Sequence, residues 1–121
     1  MHPSRHQNDR RKHPRFSPKG CTLAADLRVG VVIDVSRGGM SFYYADRKPW
    51  PKSEPQTGTL HCKAHDQLIH DIAMATVSDL KLPNISTAGT LALHRRSVCF
   101  GQLSSAQNEQ LADLLALAAN D

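Results

Sequence analysis

The chain has 121 residues, which fits a single domain, and 40% of them are hydrophobic, which is enough for one core and excludes wholesale disorder. Its formal net charge of +4 is unevenly distributed. Residues 1–19 contain six basic residues and one acidic residue, whereas residues 20–121 contain nine basic and ten acidic residues. A basic arm of net charge +5 therefore precedes a nearly neutral domain, and such an arm indicates a phosphate-bearing partner.

Several classes of protein are excluded by the same composition. No apolar run approaches the roughly 18 residues of a membrane span, and no apolar stretch follows the N-terminal charges as in a secretory signal. The three cysteines are odd in number and widely spaced, which argues against a disulfide framework and for a reducing compartment. We therefore expect a cytoplasmic protein without a membrane span.

Metal sites and catalytic motifs are poorly supported. The densest histidine cluster, His61 to His65 with His70 beyond it, lacks the paired spacing of zinc ligands, and half-exposed strand histidines explain it more simply. The chain contains no glycine-rich nucleotide loop and no serine-elbow motif. We expect no enzyme activity, no catalytic residues, no metal and no cofactor.

The first 19 residues are polar and basic and contain three prolines. Because they show no apolar periodicity, we predict a flexible basic arm over 1–19, followed by a folded domain over 20–121. From Cys21 the pattern changes to strict alternation, which predicts a strand whose buried face is formed by Leu23, Ala25, Leu27 and Val29. Residues 31–33 form a second short apolar run, and Gly30 marks a bend between the two.

Residues 34–39 have the composition of a turn, and they precede a strand in which Met40, Phe42 and Tyr44 share one face. Residues 46–58 contain three prolines and predict a surface loop. Further strands are predicted over 59–64, 67–78 and 90–102, with a connection over 83–89.

The last segment has a helical period. Leu111, Leu114, Leu115 and Ala118 predict a helix over about 105–119. Ser104 or Ser105 is a suitable N-cap, and Gln107 lies three residues after Ser104, as a capping box requires. Five or six short strands followed by one helix indicate an all-β fold with one helix, a small antiparallel barrel covered by that helix.

A first candidate binding motif lies in the arm. Pro14 disfavours helix for the residue before it, so the segment should be extended. Arg11 and Arg15 then project to the same side, about 13 Å apart. Each guanidinium can bind a phosphate through two parallel N–H bonds or stack on a purine. The alternative is a solvated basic tail.

A second candidate motif is the turn at 34–39. In an extended chain Asp34 and Ser36 point the same way and Val35 points into the core. A carboxylate can accept two adjacent N–H donors, which is what the Watson–Crick edge of guanine offers, and Gly38 and Gly39 would let the backbone approach a ligand closely. The alternative is that Asp34 and Ser36 cap a turn in which the glycines supply positive φ.

Together, Arg11-x-x-x-Arg15 and Asp34-x-Ser36-x-x-Gly39 resemble the paired motifs of PilZ domains, the bacterial receptors for cyclic di-GMP. The motifs occur in the family's order, and residues 40–44 match the strand after the second motif. The resemblance covers most of the chain. It implies a six-stranded antiparallel β-barrel with a C-terminal α-helix.

The resemblance also implies a binding site. The arginines of the first motif would engage phosphates and guanine, and the second motif would hold a guanine edge. In the family, an arginine in the position of Arg10 tends to accompany an intercalated ligand dimer, so we expect two nucleotides per chain. The expected ligand-binding residues are Arg10, Arg11, Arg15, Asp34, Ser36, Gly38 and Gly39.

The expected function is that of a cyclic di-GMP receptor and adaptor. Ligand would fold the arm over the barrel, and the altered surface would be recognised by an unidentified downstream protein. One alternative is a small barrel that binds RNA or single-stranded DNA by stacking on Phe42 and Tyr44; the net charge of −1 on the barrel and the presence of Asp34 disfavour it. Another is a PilZ-like adaptor without nucleotide binding. Trp50, Tyr43 and Phe42 are candidates for a partner patch, although a tryptophan between prolines more often packs a loop.

Overall fold

The strands and helices follow one another in the order that the sequence predicts. A computed structural model describes residues 14–26, 28–51, 56–83 and 91–119. The elements in these ranges are β1 (Cys21–Ala25), β2 (Arg28–Val35), β3 (Gly39–Asp46), β4 (Gln56–Cys62), a single 3₁₀ turn (Lys63–His65), β5 (Gln67–Lys81), β6 (Ala92–Phe100) and the helix α1 (Ser105–Ala118).

The six strands form a closed barrel. Neighbouring strands pair in the order β1-β2-β3-β6-β5-β4, β4 pairs with β1 to close the sheet, and every pair is antiparallel. Closure leaves no unpaired sheet edge in the barrel. The expectation of a six-stranded antiparallel barrel with a C-terminal helix is confirmed.

Alternating side chains fill the barrel, because successive residues of a strand point to opposite faces. As the sequence predicts, Met40, Phe42 and Tyr44 are all buried. The helix adds its apolar face, formed by Leu111, Leu114, Leu115 and Ala118. Burying a large apolar side chain contributes about 1.5–3 kcal/mol, so this core accounts for the main stabilisation of the fold.

The helix begins where its N-cap predicts. Gln107 N donates to Ser104 Oγ at 3.1 Å, and Ser104 N donates to Gln107 Oε1 at 2.9 Å, which completes a capping box. The side-chain amide of Gln107 also donates to the carbonyls of His70 and Asp71, at 2.8 and 3.0 Å. The capping box therefore attaches the helix to β5 as well as starting it.

The prediction for the first strand is wrong at its end. The strand stops at Ala25, Asp26 adopts a left-handed φ of 55°, and Ala25 pairs directly with Arg28 in a tight hairpin. Gly30, predicted as a bend, lies buried within β2, where a Cβ would be 2.5 Å from the ring of Phe42. The alternating pattern continues through the hairpin and hides the turn. Leu27 lies outside the described residues.

The boundaries of the other strands differ from the predicted ones: β4 is shifted, β5 is longer, and β6 is shorter than 90–102. β4 begins at Gln56 and ends at Cys62, β5 extends to Lys81, and β6 spans Ala92–Phe100. Polar residues at these ends pair with neighbouring strands, as Gln56 does with Met74, and apolar periodicity gives no signal for them. Residues 52–55, within the predicted loop 46–58, and most of the connection 83–89 lie outside the described residues.

The number and spacing of the cysteines argue against a disulfide framework, but the structure contains one disulfide among the described residues, which removes that argument for a reducing compartment. Cys21 and Cys62 lie directly opposite each other on β1 and β4 and form a disulfide, with their Cα atoms 4.0 Å apart. They are 41 residues apart in sequence and become neighbours only through closure of the barrel. Cys99 is free and exposed.

Removing this disulfide should destabilise the barrel. A cross-link that closes a loop of this length typically contributes about 2–4 kcal/mol by restricting the unfolded chain. We expect Cys21→Ala with Cys62→Ala to lower the free energy of unfolding in urea by that amount, and Cys99→Ala to change it by less than about 0.5 kcal/mol. A double variant as stable as the wild type would show that the disulfide does not stabilise the barrel.

A buried ionic cluster lies inside the barrel. Arg96 Nε donates to Asp79 Oδ2 at 2.7 Å, and the hydroxyl of Tyr44 donates to the same oxygen. Arg96 also donates to the carbonyls of Trp50 and Pro51. The guanidinium thereby connects β5 and β6 to the segment after β3.

Trp50 belongs to the core. Its ring is buried and stacks on that of Tyr44 with centroids 4.0 Å apart, and its indole N–H donates to Asp46 Oδ2 at 3.1 Å. Phe42 is buried beside it. An exposed partner patch that includes Trp50 and Phe42 is therefore ruled out.

Tyr44 gives the cluster a measurable pH dependence. Burial, followed by the hydrogen bond to Asp79, raises the pKa of Tyr44 to about 12, against about 10 in the unfolded chain. The stabilisation by the neutral phenol is complete below the unfolded pKa and is lost as the pH rises from about 10 through about 12. We expect urea unfolding to show this loss in the wild type and a smaller one in Tyr44→Phe; equal losses would contradict it.

No helix in the described parts of the chain is both long and apolar enough to cross a membrane.

Candidate functional site

The arm is attached to the barrel next to the turn at 36–38. Phe16 N donates to the carbonyl of Val35 at 2.9 Å, and Val35 N donates to the carbonyl of Phe16 at 2.8 Å. Phe16 packs against the core, while Val35 is fully buried at the end of β2. The described end of the predicted flexible arm is thus held to the barrel in this structure.

This attachment brings the two predicted motifs together. Arg15 Nη1 lies 3.3 Å from Asp34 Oδ1 and 3.4 Å from Ser41 Oγ, and the first of these contacts is an ion pair. Arg15 and Phe16 are neighbours in an extended segment, so the aromatic ring faces the core and the guanidinium faces outward. The side chain of Arg15 is 31% exposed and that of Asp34 is 13% exposed, so a ligand can reach both.

Ser36 has a different environment from Asp34. Its backbone N donates to the carbonyl of Gly39 at 2.8 Å, and its hydroxyl accepts from Gly38 N at 3.2 Å. The hydroxyl therefore holds the turn between β2 and β3, as in the turn-capping alternative. Asp34 instead lies on the outer face beneath Arg15.

Gly39 in the turn is required by close packing. Neither Gly38 nor Gly39 has a positive φ, so that part of the turn-capping alternative is wrong; among the described glycines, Gly20 has one, at 68°. A Cβ on Gly39 would lie 2.1 Å from the carbonyl oxygen of Val98. Gly38 accepts a hydrogen bond from Phe100 N at 2.8 Å. The absence of a side chain at Gly39 therefore allows the turn to lie against β6.

A row of hydroxyl groups continues the site across the outer face. Asp34 pairs with Ser41, Ser41 with Ser97 and Ser97 with Ser78, on four adjacent strands. We call these four residues the hydroxyl row, because three serine hydroxyls follow the carboxylate of Asp34. Ser41 Oγ lies 3.1 Å from Ser97 Oγ. Sequence analysis does not single out Ser41 or Ser97 as site residues. The available signal is weak, namely that Ser41 follows Gly39 by two residues on the outward side of β3.

Two of the predicted ligand residues, Arg10 and Arg11, lie outside the described residues, so the spacing of the first motif is not tested. Arg37 adds an exposed cation in the turn. The stacking surface of the nucleic-acid alternative is absent at its proposed place, because Phe42 and Tyr44 point into the barrel and are 1% and 2% exposed.

The arrangement has a definite binding chemistry. A partly exposed guanidinium can bind phosphate through parallel N–H bonds, and a carboxylate can accept the two adjacent N–H groups of a guanine edge. An exposed ion pair contributes only about 0–1 kcal/mol, so a ligand can replace the contact between Arg15 and Asp34 at small cost. The arrangement can therefore hold an anionic group at Arg15 and a pair of adjacent N–H donors at Asp34.

Comparison with solved structures decides the fold family. The chain is similar to a solved structure described as the PilZ domain with c-di-GMP of YcgR from Escherichia coli. The superposition covers 93% of each chain, with a TM-score of 0.74 and 16% sequence identity. This barrel has a PilZ-type fold. The resemblance predicted from the two motifs is confirmed at the level of the fold.

Two other solved chains with a similar fold are longer. The chain is similar to the K. pneumonia MrkH–c-di-GMP complex, with a TM-score of 0.68 and 15% identity, and to the Bacillus subtilis inhibitor of motility MotI/DgrA, with 0.66 and 12%. In both cases the superposition includes 93% of this chain, but only 55% of the MrkH chain and 53% of the MotI/DgrA chain. No family model matches the sequence, and no curated protein matches it either.

Proposed function

We propose that this PilZ-type barrel is a receptor for cyclic di-GMP that acts by binding and not by catalysis. The observation that supports this most strongly is the contact between Arg15 and Asp34, because it joins the two motifs at an accessible surface. The solved structures of the YcgR domain and of MrkH with c-di-GMP support the choice of ligand.

Each motif has a separate role in the proposal. Arg10, Arg11 and Arg15, within an arm over 1–19, bind phosphate and guanine. Asp34 accepts the guanine edge on the barrel, which spans 20–121. The other three residues shape the turn beside the ligand: Ser36, Gly38 and Gly39.

Binding is an exchange of partners. The N1–H and N2–H groups of a guanine replace Arg15 at the carboxylate of Asp34, and the released guanidinium binds a ligand phosphate. The arm then closes over the ligand and becomes part of the surface that a partner meets. The arginine preceding the first motif favours two intercalated nucleotides per chain.

The magnitudes permit micromolar binding. Hydrogen bonds to charged groups contribute about 1.5–3 kcal/mol each, and stacking of a base on a side chain contributes about 1–3 kcal/mol. Association and ordering oppose this by several kcal/mol. A net free energy near −8 kcal/mol corresponds to a Kd of about 1 μM.

The closed surface is recognised by a downstream protein. We place the receptor in the cytoplasm because cyclic di-GMP acts there as a bacterial second messenger; the cysteines do not support this placement, since Cys21 and Cys62 form a disulfide. Nucleic acid is not its ligand, because the predicted aromatic platform is buried.

Titration calorimetry tests the proposal. Wild-type protein titrated with cyclic di-GMP should bind with a micromolar Kd and two nucleotides per chain. The controls are GMP, which lacks the second guanine and the cyclic phosphates, and a single-stranded oligonucleotide. If no heat is measured at high micromolar cyclic di-GMP, the proposal fails and the alternative of a PilZ-like adaptor that binds no nucleotide is favoured. If the oligonucleotide binds more tightly than cyclic di-GMP, a nucleic-acid-binding module is favoured.

A further inference from the structure

A second row of outward side chains lies across the same four strands. Val31 pairs with Tyr43, Tyr43 with Arg95 and Arg95 with Leu80. We call these four residues the apolar row, because three of them are large exposed apolar side chains. Val31 is 59% exposed, Tyr43 is 36% exposed and Leu80 is 59% exposed. Val29, also exposed, precedes Val31 by two residues on the same side of β2 and widens the patch.

The apolar row lies directly beside the hydroxyl row. Tyr43 follows Ser41 by two residues, and Arg95 precedes Ser97 by two residues, so the rows are about 7 Å apart along the strands. A ligand held by Arg15 and Asp34 would therefore lie along one edge of the apolar row. Exposed apolar side chains that cluster in this way mark interaction sites more often than scattered ones do.

Arg95 gives the row a charge. In the described parts of the chain its guanidinium makes no hydrogen bond and no ion pair, whereas the nearby carboxylates on these strands have other partners. Asp34 contacts Arg15, and Asp79 is buried with Arg96. An unpaired cation thus lies between two exposed apolar side chains, those of Tyr43 and Leu80.

We propose that the apolar row binds an acidic amphipathic segment of a partner protein. Apolar side chains of the segment cover Val31, Tyr43 and Leu80, and a carboxylate of the segment pairs with Arg95. A second copy of this chain is disfavoured as the occupant, because a twofold contact through this face would bring two Arg95 guanidinium groups together. The inference deepens the proposed function, since the partner would detect the ligand at the adjacent edge.

Photo-crosslinking in the cells from which the chain comes tests this surface. Tyr43→p-benzoylphenylalanine in the full-length chain should cross-link another protein at a segment that has Asp or Glu among apolar residues, mapped by mass spectrometry. A synthetic peptide of that segment should bind the wild type and should bind Arg95→Glu at least tenfold more weakly. Replacing the acidic residue of the peptide by Lys should restore binding to Arg95→Glu.

The matched control is Leu68→p-benzoylphenylalanine. Leu68 is an exposed apolar residue of β5 that pairs with His61, away from the apolar row, and it should not cross-link that segment. The inference is overturned by a cross-linked homodimer, by a cross-link to nucleic acid, by a segment without acidic residues, by equal cross-linking from Leu68, or by no cross-link at Tyr43.

Leu80→Glu separates the two proposals. Leu80 is exposed on β5, whereas Arg15 contacts Asp34 on β2 and Ser41 on β3, so the variant should fold and retain its Kd for cyclic di-GMP within twofold while losing the peptide at least tenfold. Loss of the peptide with nucleotide binding intact supports the surface. If Leu80→Glu binds both cyclic di-GMP and the peptide as tightly as the wild type does, the proposed surface is overturned and the proposed function is not. If the wild type binds the peptide but does not bind cyclic di-GMP, only the proposed function is overturned.

Discussion

Replacing Arg15 by Ala should weaken the binding of cyclic di-GMP at least tenfold. Arg15 contacts Asp34 across the two motifs, and its partly exposed guanidinium is available to a ligand phosphate. A hydrogen bond to a charged group contributes about 1.5–3 kcal/mol, and each 1.4 kcal/mol is a factor of ten in affinity. Titration calorimetry of the variant against the wild type measures the change.

The loss should depend on the geometry of the guanidinium and not only on its charge. Arg15→Lys keeps the charge but loses the planar pair of donors, so we expect it to recover only part of the affinity. Arg28→Ala is the matched control, because Arg28 is an exposed arginine at the opposite end of β2. Its Kd should stay within about twofold of the wild type. Equal losses in Arg15→Ala and Arg28→Ala would mean that net charge alone attracts the ligand.

The stability of Arg15→Ala should hardly change. Exposed ion pairs contribute about 0–1 kcal/mol, and the Phe16–Val35 bridge that attaches the arm uses backbone groups. A urea titration therefore distinguishes lost binding from lost folding. If the variant were destabilised by several kcal/mol, its weaker binding would no longer report on a direct ligand contact.

Local patterns in the sequence predict the parts of the fold that depend on near neighbours. The alternation through Met40, Phe42 and Tyr44 identifies the buried face of β3, and Ser104 with Gln107 identifies the start of the helix. Pairing between distant strands cannot be derived in this way. Cys21 and Cys62 become partners because β1 closes the barrel on β4, and no local pattern distinguishes this pairing from others.

The site shows the same division. The motifs around Arg15 and Asp34 can be recognised in the sequence, but their contact depends on the bridge between Phe16 and Val35. Ser41 and Ser97 become neighbours through the register of β3 and β6. A bulge between Val32 and Asp34 also shifts the register, so counting residues along β2 does not give the residue opposite Asp34.

The buried cluster is a further case that composition does not predict. Arg95 and Arg96 are adjacent and identical in type, yet alternation places the first on the outer face and the second inside the barrel. The buried position of Arg96 is tolerated because Asp79 neutralises it and two backbone carbonyls accept its other donors. Such a cluster contributes little net stability as a whole, but each member depends strongly on the others.

Arg96→Met should therefore lower the free energy of unfolding by about 3–5 kcal/mol. Removing one partner of a buried ion pair leaves the other charge without its main partner, here the carboxylate of Asp79, which keeps the Tyr44 hydroxyl and His94 Nδ1 at 3.4 Å. The substitution also removes the donors to Trp50 and Pro51, so the segment after β3 should loosen. Urea unfolding measures the loss, and the fluorescence of Trp50, the single tryptophan of the chain, reports on the segment.

The control lies at the adjacent position. Arg95→Met replaces a half-buried arginine on the outer face of the same strand, without a hydrogen-bond partner among the described residues, and should change stability by less than about 0.5 kcal/mol. Asp79→Asn combined with Arg96→Met should be more stable than the sum of the single effects implies, because the double variant no longer buries an unpaired carboxylate. Additive losses would show that Arg96 stabilises the barrel through its contacts with the segment after β3 and not through its charge.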